Sequence, residues 1–196
     1  MSNRGKQIDP TVEQLRQELR RVRYRRQYRE TLRSTVSMLV VAAAFVMMVV
    51  MWLPVLKISG ESMADTLKDG DIVVAWRFAE IEKGDMIVFN GENRKTLIKR
   101  VIAQGGDVVD IQEDGAITVN GDPLHEDYVI QPGRGECDIQ FPYTVPHSRL
   151  FVLGDNRAVS VDSRHAVIGC VAQEQIVGEV VLKIWPYEEF EQWIQK

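Results

Sequence analysis

The sequence is poor in the residue types that build most catalytic and metal centres. Its 196 residues contain three histidines and two cysteines. We find no His/Cys/Asp/Glu spacing typical of a metal centre and no phosphate-binding loop, so the sequence predicts neither a metal nor another cofactor. None of His125, His147 and His165 lies in a recognisable catalytic-triad context. Cys170 lacks a supporting arrangement for a thiol nucleophile, and the sequence leaves open whether Cys137 and Cys170 form a disulfide.

Charged residues are missing from a long segment near the N-terminus. The 23 residues 34–56 contain none, and Val36–Trp52 reads VSMLVVAAAFVMMVVMW. About 20 apolar residues in a helix span a hydrocarbon core of about 30 Å. The segment is too long for the apolar part of a removable signal peptide, and Trp52-Leu53-Pro54 is a poor cleavage site. The sequence therefore predicts a transmembrane helix over residues 34–56.

Positive charge is concentrated just before this segment. Residues 1–35 carry ten Lys/Arg against four Asp/Glu, whereas Lys57 is the only basic residue just after the segment. The positive-inside rule then predicts a cytoplasmic segment over 1–33 and an extracytoplasmic domain over 57–196. That domain is acidic, which argues against nucleic acid as a partner. We expect the phospholipid bilayer as a partner; residues 10–33 form either a basic amphipathic helix on anionic lipid or a charged spacer.

Beyond the apolar segment, short apolar runs alternate with turn signals such as Gly-Asp and Asn-Gly. The pattern predicts a mainly antiparallel β domain without long helices. Residues 122–147 have no clear periodicity and are predicted to form an insertion or a long loop. The predicted strands are Asp71–Trp76, Asp85–Phe89, Thr96–Ile102, Val108–Ile111, Ala116–Val119, Leu150–Leu153 and Ile176–Ile184.

Two residues of this domain suit hydrolytic chemistry. Ser62 follows the apolar segment closely, but a serine hydroxyl is a weak nucleophile without a base. Lys99 lies in an apolar strand, where alternation places it on the same face as Leu97 and Val101 and turns Arg100 the other way. Because burial disfavours the ammonium form, a lysine on the inner face can have a lowered pKa and serve as that base.

Four segments together resemble the ordered conserved boxes of type I signal peptidases. The longest, Gly-Asp-Asn-Arg followed by Ser-x-Asp-Ser-Arg, is the most specific, and the N-terminal apolar segment fits the same family. The resemblance covers most of residues 34–185 and implies an antiparallel β-barrel-like catalytic domain. The segments are Ser59-Gly-Glu-Ser-Met, Lys83-Gly-Asp-Met-Ile-Val-Phe, Ile98-Lys-Arg-Val, and Gly154-Asp-Asn-Arg-Ala-Val-Ser-Val-Asp-Ser-Arg.

The resemblance implies a role for individual residues. Ser62 is expected to attack the scissile carbonyl, Lys99 to accept its proton, and Ser160 to orient the lysine amine. The charged residues of the longest segment are expected to support the site, since opposite charges at such spacing can pair; they are Asp155, Arg157, Asp162 and Arg164, with Asn156 between them. The expected substrates are exported preproteins that carry signal peptides, cut after an Ala-x-Ala-like motif.

Two features near Ser62 depart from the family pattern. Some members have a hydroxyl two residues before the nucleophile, where this chain has Gly60, with Ser59 one place earlier. We therefore expect a backbone donor near Gly60 beside the Ser62 N–H, with Ser59 as a further candidate. The family usually has proline where this chain has Asp65, a change expected to loosen the loop or to add an Asx turn.

Two other functions remain open from the sequence. The first is a related Ser/Lys peptidase that processes one dedicated partner, which a generic preprotein would distinguish because it would not be cleaved. The second is an inactive membrane-tethered binding module, for which Asp65 is the warning feature. A serine-directed acylating probe separates that module from an enzyme, since only an activated Ser62 would react.

Overall fold

The structure is a computed structural model that describes residues 12–64, 66–91 and 95–186. It consists of one long N-terminal helix followed by a domain of short and medium strands. In chain order the elements are α1 (Val12–Trp52), β1 (Val55–Lys57), β2 (Ile72–Trp76), β3 (Met86–Asn90), β4 (Thr96–Gln104), β5 (Val108–Ile111), β6 (Ile117–Val119), β7 (Asp122–Pro123), β8 (Tyr143–Thr144), β9 (Arg149–Leu153), β10 (Val171–Ala172), a 3-10 turn at Gln173–Gln175, and β11 (Ile176–Trp185).

Helix α1 contains residues 34–52 of the predicted segment 34–56; the prediction extended four residues too far, because the last two, Val55 and Leu56, pair with β2 as part of β1. The helix runs without interruption for 41 residues, so the basic residues from Arg16 to Arg33 are helical as well. An 18-residue window reaches a mean hydropathy of 2.4 and buries none of its residues, so the helix is long and apolar enough to cross a membrane. The chain divides into two compact units, residues 1–49 and 50–196.

The second unit contains two antiparallel sheets. The larger has seven strands in the order β1-β2-β11-β3-β4-β9-β10, and the smaller has four in the order β7-β6-β5-β8. The predicted mainly antiparallel class is therefore confirmed, and each of the seven predicted strands occurs within a few residues of its expected bounds. The additional strands β1, β7, β8 and β10 have two or three residues each, too few to show an alternating pattern.

The segment between β1 and β2 carries Ser62, and buried apolar side chains of the segment hold it in the core. Met63 and Leu67 are buried, at 2% and 0% exposure, and belong to a core cluster with Val73 and Val88. Burial of the Met63 and Leu67 side chains contributes about 1.5–3 kcal/mol each to the free energy of unfolding. The apolar contacts therefore fix this short irregular segment on the sheet, although it contains no regular secondary structure.

A buried ion pair holds the other end of that segment. Lys183 of β11 is fully buried, and its Nζ lies 2.7 Å from Asp71 Oδ2. The same carboxylate oxygen accepts the Lys68 N–H at 2.8 Å, and the Asp71 carbonyl accepts the Ile58 N–H at 2.8 Å. Buried charges need such compensation because desolvation is costly. The pair joins the C-terminal end of the segment that carries Ser62 to β11, an interior strand of the larger sheet.

The two cysteines are not paired. Cys137 is half-buried and Cys170 is buried, and both are free thiols. Cys170 belongs to the apolar cluster between the sheets, and its Sγ lies 3.8 Å from the Tyr143 hydroxyl. Burial raises the pKa of the Cys170 thiol, so the reactive thiolate is disfavoured there. The sequence left open whether Cys137 and Cys170 form a disulfide, and in the structure they do not.

Candidate active site

Strand β4 carries Lys99 on its buried face, as the alternation predicts. Lys99 is 2% exposed, Val101 on the same face is fully buried, and the Lys99 Nζ donates a hydrogen bond to Ser160 Oγ at 2.9 Å. Strand β4 is held by β3 along one edge, with Ile87 opposite Lys99. The Lys99 side chain is therefore fixed at both ends: the sheet holds its backbone, and the Ser160 hydroxyl holds its Nζ.

The environment of Lys99 favours the neutral amine. Burial lowers the pKa of Lys99 from 10.5 to about 8. The negative charges of Asp162 and Asp155 act to raise this pKa, and the positive charge of Arg164 acts to lower it. Desolvation disfavours the ammonium because the charge loses its water shell, whereas a nearby carboxylate stabilises it. The balance leaves an amine that is a base near neutral pH, which an exposed lysine is not.

Ser62 and Ser160 meet at one turn. We call residues 154–160 the Gly154 turn. Its Asn156 N–H donates to the Ser62 carbonyl at 3.1 Å, and the Asn156 side-chain amide donates to the Glu61 carbonyl at 3.2 Å. A β-carbon at Gly154 would collide with Ser160 Oγ and lie 2.5 Å from the Ser62 carbonyl oxygen. Both serines therefore lie against Gly154, and only glycine permits this approach.

Asp162 and Arg164 form the buried ion pair behind Ser160. The Arg164 Nε and Nη2 each donate to one oxygen of Asp162 at 2.8 Å, and Nη2 also donates to the Ser160 carbonyl at 3.2 Å. Asp162 accepts the Gly154 N–H at 3.0 Å. Burial acts to raise the pKa of Asp162, but the hydrogen bonds and charge of Arg164 outweigh it and lower that pKa. This bidentate pair holds the backbone on both sides of Ser160.

Asp155 and Arg157 pair outside their own segment. Asp155, fully buried, accepts the Arg100 Nε and Nη2 at 2.9 and 2.6 Å and the Thr66 hydroxyl at 2.5 Å. Arg157 donates to Glu126 Oε1 at 2.5 Å and to the Gly154 carbonyl at 3.1 Å. The expectation of local pairing thus describes Asp162 and Arg164, whereas the partners of Asp155 and Arg157 come from elsewhere in the chain.

Sequence reasoning therefore missed several residues of this site. It placed Arg100 on the face opposite Lys99 but gave it no partner, and it gave no role to Thr66, Glu126 or Tyr128. No local signal pairs Arg100 with Asp155, because the two are 55 residues apart and the burial of Asp155 is visible only in the structure. No local signal marks Glu126 and Tyr128, which lie in the loop without periodicity.

The region before Ser62 narrows the choice of oxyanion donors. The Gly60 N–H donates to Asp69 Oδ1 at 2.9 Å, so this amide is directed toward a carboxylate. The Ser62 N–H has no hydrogen-bond partner among residues 12–64, 66–91 and 95–186. Ser59 lines the same cleft as Ser62. The amide of Gly60 itself thus fits an oxyanion donor less well than the sequence predicts. The departure at Asp65 lies outside the described residues.

A cleft of about 100 Å³ adjoins Ser62. It is lined by residues from β1, from the Ser62 segment and from the start of β4, namely Leu56, Lys57, Ile58, Ser59, Gly60, Ser62, Met63, Thr96, Leu97 and Ile98. Five of these residues have apolar side chains, and Ser59, Ser62, Thr96 and Lys57 are the polar ones. Among the described residues β1 pairs only with β2, and the beginning of β4 pairs only with β3. The cleft therefore lies between two unpaired strand edges.

The arrangement is typical of one class of enzyme. A buried, partly neutralised lysine amine is oriented by one serine hydroxyl and lies at the same turn as a second serine that lines a cleft. Hydrolases that form acyl-enzymes with a Ser–Lys pair instead of Ser–His–Asp use these components. The geometry thus indicates the class of serine hydrolases with a lysine base.

Comparison with known proteins gives the family. The sequence model described as "Signal peptidase, peptidase S26" matches residues 29–185. The chain belongs to this family and is a peptidase anchored by one N-terminal apolar helix. It is similar to signal peptidase IB of Staphylococcus aureus strain COL, at 36% identity over 68% of this chain and 78% of that protein. Signal peptidase I of Bacillus caldolyticus is 34% identical over 68% of this chain and 80% of that protein.

A solved structure was also found. The crystal structure of a signal peptidase I from Enterococcus faecalis V583 superimposes with a TM-score of 0.45 at 28% identity, covering 52% of this chain and 97% of that one. The family expected from the four sequence segments is confirmed by the family match and by the curated relatives. With it, the expected serine endopeptidase activity on signal peptides is confirmed as the activity of the family to which the chain belongs.

The lowered pKa of Lys99 predicts a specific pH dependence of stability. Folding disfavours protonation of Lys99, so the wild type gains stability relative to Lys99→Met as pH rises from about 8 to 10.5. A shift of this size corresponds to about 3 kcal/mol in the free energy of unfolding. Urea unfolding of both proteins at pH 7 and at pH 10.5 measures the difference. A stability difference that is the same at both pH values would contradict it.

Proposed function

We propose that this chain removes signal peptides from exported preproteins with Ser62 as nucleophile and Lys99 as general base. The observation that carries the proposal is the contact of both serines with Gly154, which brings the Lys99 amine to the turn that also holds Ser62. A neutral lysine amine has two N–H groups and one lone pair. When one N–H donates to Ser160, the lone pair is free to face the nucleophile.

The first chemical step is acylation. Ser62 Oγ forms a bond with the scissile carbonyl carbon while its proton moves to Lys99 Nζ. The carbonyl oxygen becomes an oxyanion, which the Ser62 N–H stabilises; this amide has no partner among the described residues. The Lys99 ammonium then donates this proton to the departing amine as the peptide C–N bond breaks. The products are the mature protein with a free N-terminus and an ester of Ser62 with the signal peptide.

The second step is deacylation. A water molecule loses a proton to the now neutral Lys99 and attacks the ester carbonyl, and the proton returns to Ser62 Oγ as the C–O bond breaks. The same amine therefore serves in both steps, and it must be neutral at the start of each. A pKa of about 8 suits this task, because the amine is partly neutral at physiological pH yet basic enough to take the serine proton.

The shape of the cleft supports a preference for small residues before the cut. Its volume of about 100 Å³ fits a small side chain better than a large one, and the apolar side chains of Leu56, Ile58, Met63, Leu97 and Ile98 line part of its wall. The unpaired edges of β1 and early β4 can hydrogen bond to an extended peptide, as strands do in β-augmentation. These features support cleavage after an Ala-x-Ala-like motif presented in extended conformation.

The charge distribution supports one orientation in the membrane. The basic residues lie before the apolar part of α1, and the acidic domain follows it. By the positive-inside rule, residues 1–33 are cytoplasmic, the apolar part of α1 (34–52) spans the bilayer and residues 57–196 work on the outer side. Ser62 then acts close to the bilayer surface. Protease added outside intact cells should cut the domain but not residues 12–33.

The dyad predicts the effect of two substitutions. Ser62→Ala and Lys99→Ala should each lower kcat/KM on a preprotein by about a thousandfold or more, because removing either member of a catalytic unit abolishes the covalent route. Lys95→Ala is the matched control, since Lys95 is exposed just before β4 and should keep wild-type activity. Near-normal cleavage by Ser62→Ala or Lys99→Ala, with intact folding by circular dichroism, would exclude the dyad.

The pKa of Lys99 predicts the pH profile of cleavage. Only the neutral amine accepts a proton, so kcat/KM should rise about tenfold per pH unit below the pKa and level off above about 8. Initial rates on one preprotein in detergent between pH 6 and 10 provide the measurement. The proposal predicts no such rise for background hydrolysis by Ser62→Ala. A flat wild-type profile, with chemistry shown to limit the rate, would rule out a lysine base.

Ser59 is proposed as the second oxyanion donor beside the Ser62 N–H. Ser59 lines the cleft, whereas the Gly60 amide is directed to Asp69. Ser59→Ala should lower kcat by about a hundredfold with little change in KM, the usual effect of losing one oxyanion donor. Ser59→Thr retains a hydroxyl and should recover most of the rate. If Ser59→Ala and the wild type cleave at equal rates, Ser59 is not an oxyanion donor, and the Ser62 N–H remains the proposed donor.

A further inference from the structure

Two residues of the long loop between β7 and β8 reach the site. The Tyr128 ring lies under the Arg100 guanidinium, with 3.9 Å from the ring centroid to Arg100 Cζ. Its hydroxyl donates to Glu126 Oε1 at 2.6 Å, and the same oxygen accepts Arg157 Nη2 at 2.5 Å. The loop thus holds one arginine by an aromatic face and the other by a carboxylate.

Arg100 is the residue through which the parts of the site are joined. It follows Lys99 in β4 and binds both oxygens of Asp155, which belongs to the Gly154 turn. The Thr66 hydroxyl, four residues after Ser62, donates to Asp155 Oδ2 at 2.5 Å. The Arg100–Asp155 pair therefore links the strand of the base, the turn that orients it and the segment of the nucleophile.

The same pair affects the charge balance around Lys99. The charged groups that act on Lys99 are Asp162 and Asp155, which favour its ammonium form, and Arg164, which disfavours it. Arg100 lies in direct contact with Asp155 and offsets its charge. An Arg100 side chain that left Asp155 would strengthen the effect of this carboxylate on Lys99 and favour the ammonium.

We infer that Tyr128, whose hydroxyl is bonded to Glu126, is a positioning residue of this site. Its ring holds the Arg100 guanidinium on the Asp155 carboxylate and thereby keeps Lys99 and the Gly154 turn in the arrangement needed for cleavage. The inference rests on the proposed Ser62–Lys99 chemistry. Tyr128 touches neither serine nor the lysine in the described hydrogen bonds, so it acts through Arg100. Its burial and its hydrogen bond to Glu126 raise the pKa of the phenol, so it remains neutral during the reaction.

The test compares Tyr128→Leu with Tyr128→Phe in the full-length, detergent-solubilised protein. Leucine removes the aromatic face, and we expect kcat to fall about tenfold or more, KM to change little, and the midpoint of the kcat/KM pH profile to move to higher pH. Phenylalanine keeps the face and loses only the bond to Glu126. It should retain most of the activity and the wild-type midpoint.

Tyr143→Leu is the matched control. Tyr143 lies in β8, is half-buried like Tyr128, and packs against Phe151 away from Arg100. It should lower the melting temperature without moving the pH midpoint. The inference is overturned if Tyr128→Leu keeps the wild-type midpoint and kcat, or if Tyr143→Leu moves the midpoint equally. An active Lys99→Ala would overturn the proposed function itself, which separates the two failures.

A double-variant cycle tests whether Tyr128 acts through the Arg100–Asp155 pair. Thr66→Val retains the side-chain shape and removes only the hydroxyl that Asp155 accepts, and Tyr128→Leu, which removes the aromatic face, is its partner in the cycle. Because both residues support one ion pair, the loss in kcat/KM of the double variant should be smaller than the product of the single losses. Losses that multiply would show independent action and contradict the inference.

Discussion

A lysine that serves as a base must be kept neutral inside a protein that also buries carboxylates beside it, and the rest of this site depends on that constraint. Burial lowers the pKa of Lys99 to about 8, while Asp162 and Asp155 act in the opposite direction. Each carboxylate is bound by two nitrogens of one arginine, Arg164 or Arg100. Pairing of this kind holds the carboxylates in place and limits their effect on the amine.

The same ion pairs also shape the backbone. At the start of the Gly154 turn, the Gly154 N–H donates to Asp162 and the Gly154 carbonyl accepts from Arg157. The turn approaches Ser62 so closely that a β-carbon at Gly154 would not fit. A rigid turn is what orientation of the amine requires, since a small displacement of a catalytic group costs much of its effect. Stability and activity are therefore opposed at Lys99, whose burial destabilises its charged form for the sake of chemistry.

The sequence was a good guide wherever function and folding depend on local pattern. Strand alternation correctly placed Lys99 on the buried face of β4, and the charge-free segment correctly predicted a long apolar helix. Pairing between Asp162 and Arg164 followed from their separation by two residues. Local pattern failed for Asp155, because its partner Arg100 lies 55 residues away and faces it only after β4 and β9 have paired.

The sequence by itself thus determined the family, the antiparallel class, the apolar anchor and the identity of the candidate nucleophile and base, because each rests on periodicity or on a short motif. Only the tertiary structure decided what surrounds them. It separated Cys137 from Cys170, directed the Gly60 amide to Asp69, and brought Tyr128 of an irregular loop beneath Arg100. Such contacts depend on where distant segments pack, and no local pattern encodes the distance between side chains that meet only in the folded chain.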